Sequence, residues 1–161
     1  MALSEPVRRA RATALAAPAL LLGGAYLSQY GFGLYPCEMC WWQRYPHFVA
    51  LGLAALAFVA PRGARALAAL AGLAILVSGA IGAYHAGVEY GWWRGLTTCA
   101  ASASAGDGDP LEAIMKAPLV RCDVAQWRLL GISLAGWNFL FSTVAALAIG
   151  VLLLSGKRMK R

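Results

Sequence analysis

Residues 35–48, YPCEMCWWQRYPHF, hold a Cys-x-x-Cys pair, two tryptophans and an arginine between two prolines, with a histidine just beyond, and they sit between two long uncharged runs. Upstream, no charge intervenes between Arg11 and Glu38; downstream, none intervenes between Arg44 and Arg62. Two further runs follow, 66–88 and 129–156, closed by Glu89 and Lys157. A helix that crosses a bilayer needs about 20 mostly apolar residues, with roughly 17 as the lower limit. All four runs reach that length, the second only just. Backbone groups cannot stay unpaired in lipid, so each run should be helical. The predicted spans are 12–31, 43–60, 66–86 and 131–154, joined on one side by loops 32–42 and 87–130. The expected fold is an all-α membrane protein, a four-helix transmembrane bundle forming a single integral membrane domain over 1–161.

Composition points the same way. Sixty percent of the residues are hydrophobic and 13% are charged, well above the apolar share of a soluble domain. Eighteen glycines suit close helix packing in lipid. The net charge of +7 would fit a nucleic-acid partner, but the cations stand at the ends of apolar runs rather than on one patch, which argues against nucleic acid. A cleaved signal peptide is the other reading of the first run. The run is too long for it, contains Pro18, and has no clean small-residue cleavage site before the cysteine pair.

Lysine and arginine set the expected orientation. Arg8, Arg9, Arg11, Arg62, Arg65, Lys157, Arg158, Lys160 and Arg161 fall on one side. The two loops on the other side carry Arg44, Arg94, Lys116, Arg121 and Arg128 together with six of the seven acidic residues. Both termini are therefore expected in the cytoplasm, with the cysteine-bearing loops facing outward. All six tryptophans lie in or near the outward side and read as an interfacial belt. Within the second loop, DPLEAIMKAP (109–118) offers Asp109 as N-cap, Pro110 at the first helical position and Glu112 in the first turn. This predicts a short interfacial helix lying on the membrane surface.

The four cysteines, Cys37, Cys40, Cys99 and Cys122, all fall in the outward loops, as expected for an oxidising compartment. Cys37–Cys40 would close too short a loop to stabilise the fold much, while Cys99–Cys122 has the spacing of a structural staple. Zinc would need two more ligands beside Cys37 and Cys40, and no second Cys-x-x-Cys or paired histidines supply them; no metal is expected. A redox role has more support. Cys40 opens the second helix, where the macrodipole favours a thiolate. Arg44 lies four residues on, on the same face; a snorkelling arginine that merely ends the span is the plain alternative. Electrons taken from thiols need an acceptor. With no haem or nucleotide motif in the chain, a lipophilic quinone fits. His85, late in the third run, is a candidate because ionisable groups near the membrane are rarely idle. Gln43 is a weaker candidate for the same region, and Glu89 follows His85 by one helical turn.

CEMCWWQR, YHAGVEYGWWRGLTTC and VRCDVAQWRLLGISLAGWN together resemble the DsbB family of disulfide bond formation proteins, over nearly the whole chain. The resemblance implies a bacterial inner-membrane enzyme with periplasmic loops, a quinone-dependent oxidoreductase that reoxidises a periplasmic DsbA-like thioredoxin-fold oxidase. By position, it implies that the oxidase attacks a Cys99–Cys122 disulfide at Cys99. Cys122 then engages Cys37, and Cys40 passes electrons to ubiquinone or menaquinone assisted by Arg44 and His85. Some members have glutamate where this chain has Gln43, so proton handling at that position would differ, and Glu89 is a substitute. Two other readings differ in kind. An enzyme of the vitamin K epoxide reductase type would place its Cys-x-x-Cys in or at the end of a late span. A non-enzymatic four-helix membrane protein would need only the structural disulfide.

Overall fold

The computed structural model describes residues 3–96, 100–101 and 119–158. Among these, four long helices run in chain order: α1 (Glu5–Phe32), α2 (Glu38–Val59), α3 (Ala64–Glu89) and α4 (Leu134–Arg158). Three segments, Glu5–Phe32, Ala64–Glu89 and Leu134–Ser155, are each long and apolar enough to cross a membrane. α2 falls short on composition rather than length, since Gln43, Arg44 and His47 occupy its first turns. Cys99 and the predicted interfacial helix at 109–118 lie outside the described residues.

Helix ends follow local chemistry more than the apolar limits predicted from sequence. α1 begins at Glu5 rather than 12, with proline in its first turn, where a missing N–H costs nothing. It ends at Gly33, whose φ of 67° a residue with a Cβ adopts poorly. There the Leu34 N–H closes onto the Ser28 carbonyl at 3.0 Å. The fourth predicted span started at 131, but α4 starts at Leu134. Residues 128–133 instead form a hairpin, β3 (Arg128–Leu129) against β4 (Ile132–Ser133). Leu130 and Gly131 make its two-residue turn with positive φ at both positions, as that turn type requires. Tyr90 at the end of α3 clamps the hairpin, donating its hydroxyl to the Gly131 carbonyl and accepting from the Ser133 N–H, each at 3.1 Å. A second antiparallel pair, β1 (Ala100–Ala101) with β2 (Leu119–Val120), lies in the long loop.

The bundle is a ring in which α3 packs on α2 and α4, and α1 closes the other side against both, so α2 and α4 face each other along a diagonal. Its interior reverses the pattern of a soluble protein. Small residues fill the centre: Ala10, Ala14, Ala50, Ala54, Ala57, Ala64, Ala68 and Ala71 are fully buried. Large apolar residues point outward, with Leu20 76% and Val144 66% exposed. In lipid an outward leucine costs nothing, and helices gain contact by letting backbones approach. Gly82 marks a close approach of α3 to the backbone of α4. A Cβ there would lie 2.9 Å from the Ala135 carbonyl and 3.1 Å from both Asn138 Nδ2 and Gln43 Oε1.

Gly82→Val should therefore force α3 away from α4 and lower stability by about 1–3 kcal/mol, the usual cost of overpacking. Thermal unfolding in detergent reads this directly. An unchanged midpoint would mean that the helices do not meet at Gly82.

Candidate functional site

The first loop enters α2 through the cysteine pair itself. Cys37 is the N-cap, in extended conformation, and its sulfur accepts the Cys40 N–H at 3.3 Å. A thiol in place of the usual Ser or Asp satisfies one of the orphan donors of the first turn. The Cys37 thiol in turn lies 3.0 Å from Cys40 Sγ and donates to it. That hydrogen bond, then burial, then the negative charges of Cys40 and Cys122 push the Cys37 thiol far above the ordinary range. The pair thus holds one shared proton on Cys37, leaving Cys40 as the sulfur free to carry charge.

The second loop folds back over this turn. Cys37, Met39, Val88, Val120 and Cys122 form one buried cluster, with Cys40, Trp42 and Tyr84 packed against it. Gln126 ties the loops together by donating to the Tyr35 carbonyl at 2.6 Å. His85, 2% exposed, sits at the junction. Its Nε2 lies 3.2 Å from the Cys122 carbonyl and 3.6 Å from Cys37 Sγ. Glu89 Oε1 is 3.8 Å from the same nitrogen, and Glu89 Oε2 is buried without a close hydrogen-bond partner among the described residues. The Cys37–Cys40 pair and Cys122, far along the chain, therefore converge in space, while Cys99 lies outside the described residues.

Arg44 is 6% exposed, and a guanidinium buried that deeply needs partners. It finds them on α1, in Gln29 Oε1 at 2.7 Å and the Ala25 carbonyl at 3.3 Å. Tyr26 and Trp41 also lie 4.9 Å from the guanidinium carbon, ring centroid to carbon, on either hand. Trp41 is thus a cation–π partner of Arg44 as well as a belt residue. Both Cys40 and Arg44 line a cavity of about 810 Å³ that extends along α1 and α4 as far as Thr13 and Ala148. Its walls are mostly apolar, and its polar end gathers Cys37, Cys40, Arg44 and His85.

Gln43, a weaker candidate from sequence for the region of Arg44 and His85, contacts His85 directly. It anchors a polar seam across the bundle. Gln43 Nε2 lies 2.9 Å from His85 Nδ1, and Gln43 Oε1 accepts from Asn138 at 2.8 Å. Asn138 Oδ1 accepts from Ser142 and meets His47 Nε2, each at 3.0 Å. Ser78 closes the seam by donating to the Gln43 carbonyl at 2.8 Å. Sequence reasoning missed Asn138, Ser78, Ser142 and Gln29. Each is an uncharged polar residue inside an apolar run, and that pattern was the available signal. Sequence reasoning also found no further ligand for a metal held by the pair. The fold supplies one: donor atoms of Cys37, Cys40 and His85 lie within 4.8 Å of one another, near enough for a single ion.

Fold and site together define a helical membrane protein that carries a buried dithiol beside an apolar cavity. The model of the family described as disulfide bond formation protein DsbB matches residues 7–152, and the chain belongs to that family. It is 33% identical over 158 residues to a disulfide bond formation protein B of Azoarcus sp. (strain BH72), covering 88% of each chain. It is 32% identical over 157 residues to one of Verminephrobacter eiseniae (strain EF01-2), covering 91% of this chain and 85% of that one. An uncharacterized protein, RP370, of Rickettsia prowazekii (strain Madrid E) is 24% identical over 145 residues, covering 88% and 84%. No solved structure matches. The chain is accordingly an integral membrane protein of disulfide bond formation, with a disulfide oxidoreductase role.

The raised Cys37 thiol gives a kinetic signature. Only the thiolate is alkylated, so in reduced protein Cys37 should react with iodoacetamide far more slowly than a free cysteine at about pH 8. Cys40→Ala removes both the hydrogen-bond acceptor and its charge, which lowers the Cys37 value and should speed Cys37 alkylation roughly tenfold or more. Peptide mass spectrometry counts the modified cysteine. Equal rates in the two proteins would show that Cys40 does not hold the Cys37 proton.

Proposed function

We propose that this protein is a quinone-dependent protein-disulfide oxidoreductase of the bacterial inner membrane that reoxidises a periplasmic DsbA-like oxidase. In this reading 1–161 is one four-span domain. The termini are cytoplasmic and the loops near 32–42 and 87–130 are periplasmic. The observation that carries the proposal is the convergence of Cys37, Cys40, Cys122 and His85 in one buried cluster at the polar end of an apolar cavity.

The residues present fit a quinone. A long apolar cavity suits an isoprenoid tail, and Arg44 supplies a buried cation with donors where a polar head would lie. When bound, the quinone supplies the two-electron sink, accepting two electrons and two protons as it becomes quinol. The protein's own steps are thiol–disulfide exchanges. The oxidase thiolate attacks Cys99 of a Cys99–Cys122 disulfide, forming a mixed disulfide and releasing Cys122 as thiolate. Cys122 attacks Cys37 of a Cys37–Cys40 disulfide, so that the Cys37–Cys122 bond forms and Cys40 leaves as thiolate. The second oxidase thiol resolves its mixed disulfide at the oxidase sulfur, releasing Cys99, which then attacks Cys122. That step restores Cys99–Cys122 and leaves the electron pair on Cys37 and Cys40. Arg44 stabilises negative charge at Cys40 and at the cavity's polar end. Glu89, buried beside His85, holds a proton during the exchange.

Purified protein in detergent, given reduced oxidase and a soluble quinone, should reduce the quinone and oxidise the partner. Absence of turnover in the wild type would reject the proposal, as would a Cys40→Ala variant that turns over normally. Arg44→Ala should raise the apparent quinone KM about ten- to a hundredfold, matching the loss of a hydrogen bond to a charged group. Arg44→Lys, which keeps the charge and loses the fork, should fall between. An unchanged KM in Arg44→Ala would return Arg44 to a purely structural tie between α1 and α2.

A further inference from the structure

His85 is one of two histidines in the chain, and its protonated nitrogen can be read from a chain of amides. A backbone carbonyl only accepts. Asn138 approaches the Ser78 carbonyl at 3.3 Å, so the atom it presents there is its NH2. The same NH2 lies 2.8 Å from Gln43, which must therefore present oxygen. The other terminal atom of Gln43 is then its NH2, and the Met39 carbonyl 3.2 Å away agrees. That NH2 lies 2.9 Å from His85 Nδ1, so Nδ1 accepts. A neutral imidazole then carries its proton on Nε2, which faces the Cys122 carbonyl at 3.2 Å. Three carbonyls, on α3, α2 and the second loop, fix the same polarity independently.

We propose that Asn138 and Gln43 are positioning residues that lock His85 as an Nε2–H donor, which keeps the two cysteine loops in register and denies the dithiol a third metal ligand. The register half rests on the exchange function proposed above; the metal half does not. As a donor, His85 does not take the Cys37 proton. It holds the Cys122 backbone against the Cys37 turn and places its N–H 3.6 Å from the Cys37 sulfur, where it meets the charge that forms when that sulfur leaves as thiolate. A histidine that binds a metal through Nε2 must instead carry its proton on Nδ1 and give it to an acceptor. Here Nδ1 meets a donor. Turning the Gln43 amide to suit a metal would set its NH2 against the Asn138 NH2 and strand the Met39 carbonyl from its side-chain partner. The lock therefore leaves Cys37 and Cys40 free for sulfur exchange although His85 lies at ligand distance. Gly82 makes room for it, since any side chain there would meet Asn138 and Gln43.

Ring-nitrogen spectra of reduced, ¹⁵N-histidine-labelled protein in detergent separate protonated from bare nitrogens, and His85→Asn assigns the signals. The wild type should show bare Nδ1 and protonated Nε2 at His85. Gln43→Glu presents only an acceptor and should reverse them. Asn138→Asp keeps the acceptor toward His47 and Ser142, removes the donor toward Gln43, and should give a mixture. Protonated Nδ1 in the wild type, or an unaltered pattern in both variants, overturns the lock. Zn²⁺ titration of the reduced proteins reads the metal half: Gln43→Glu should bind about ten- to a hundredfold more tightly than wild type, and equal affinity refutes it. For the register half, oxidised protein is mixed with reduced oxidase without quinone, and the Cys37–Cys122 disulfide is trapped by acid. Its formation should slow about tenfold in Gln43→Glu; an unchanged rate in a variant with reversed nitrogens refutes that half. If the wild type itself forms no such disulfide, the exchange function fails, and the register half with it, while the spectra and the zinc titration still decide the rest.

Discussion

The hydrogen bond from Asn138 Nδ2 to Gln43 Oε1 spans the diagonal of the bundle, and the polar seam that runs from Ser142 to His85 depends on it. Buried amides are stable only when their donors and acceptors are met. Asn138 needs Ser78 and Ser142, Gln43 needs the Met39 carbonyl and His85, and His85 needs the Cys122 carbonyl. The requirement passes from the middle of the bundle to the loop turn, and it brings the second loop onto the first. The packing around the seam is small for the same reason. Gly82 and Ser78 let α3 approach closely enough for α2 and α4 to touch through it.

A second constraint is the solvent the outer surface meets. Alanines inside and leucines outside make sense only where burial of large apolar groups gains nothing. With the centre filled by small residues, the site's charge has to be housed at one end. Arg44 is held there by Gln29, the Ala25 carbonyl and two aromatic faces. Basic residues serve the opposite end differently. Arg11 donates to the Ala57 carbonyl at 3.4 Å and Arg65 to the Leu153 carbonyl, both at helix C-terminal turns where cations are favoured.

Much of the architecture was legible in the chain because charge is so scarce in it. Four uncharged runs correspond to four helices, and the errors concern ends. Gly131–Ser133 read as part of a span because they are uncharged, but a pair of positive-φ residues turns the chain there into a hairpin. The Cys40–Arg44 relation was legible too, because four residues on a helix always return to one face. The partners of Arg44 were not. Gln29 and Tyr26 lie on another helix, and no spacing rule connects them to position 44. His85 was legible as an unusual residue, yet its nearest contacts are a cysteine sulfur, a loop carbonyl and the Gln43 amide rather than the cavity alone.

What the sequence by itself determined is therefore local and periodic: helices where charge is absent, a thiol at a helix start, an arginine one turn on. Those properties depend on neighbours within about four positions, the reach of a helical turn. Only the tertiary structure decided which sulfur caps α2, which nitrogen of His85 bears the proton, and that Cys122 lies against Cys37. The last two are set by groups 37 to 95 residues apart, meeting where a buried donor can find only one acceptor. The one exception proves instructive: the Cys37 cap is local, but no propensity distinguishes a capping thiol from an idle one until the second loop buries it.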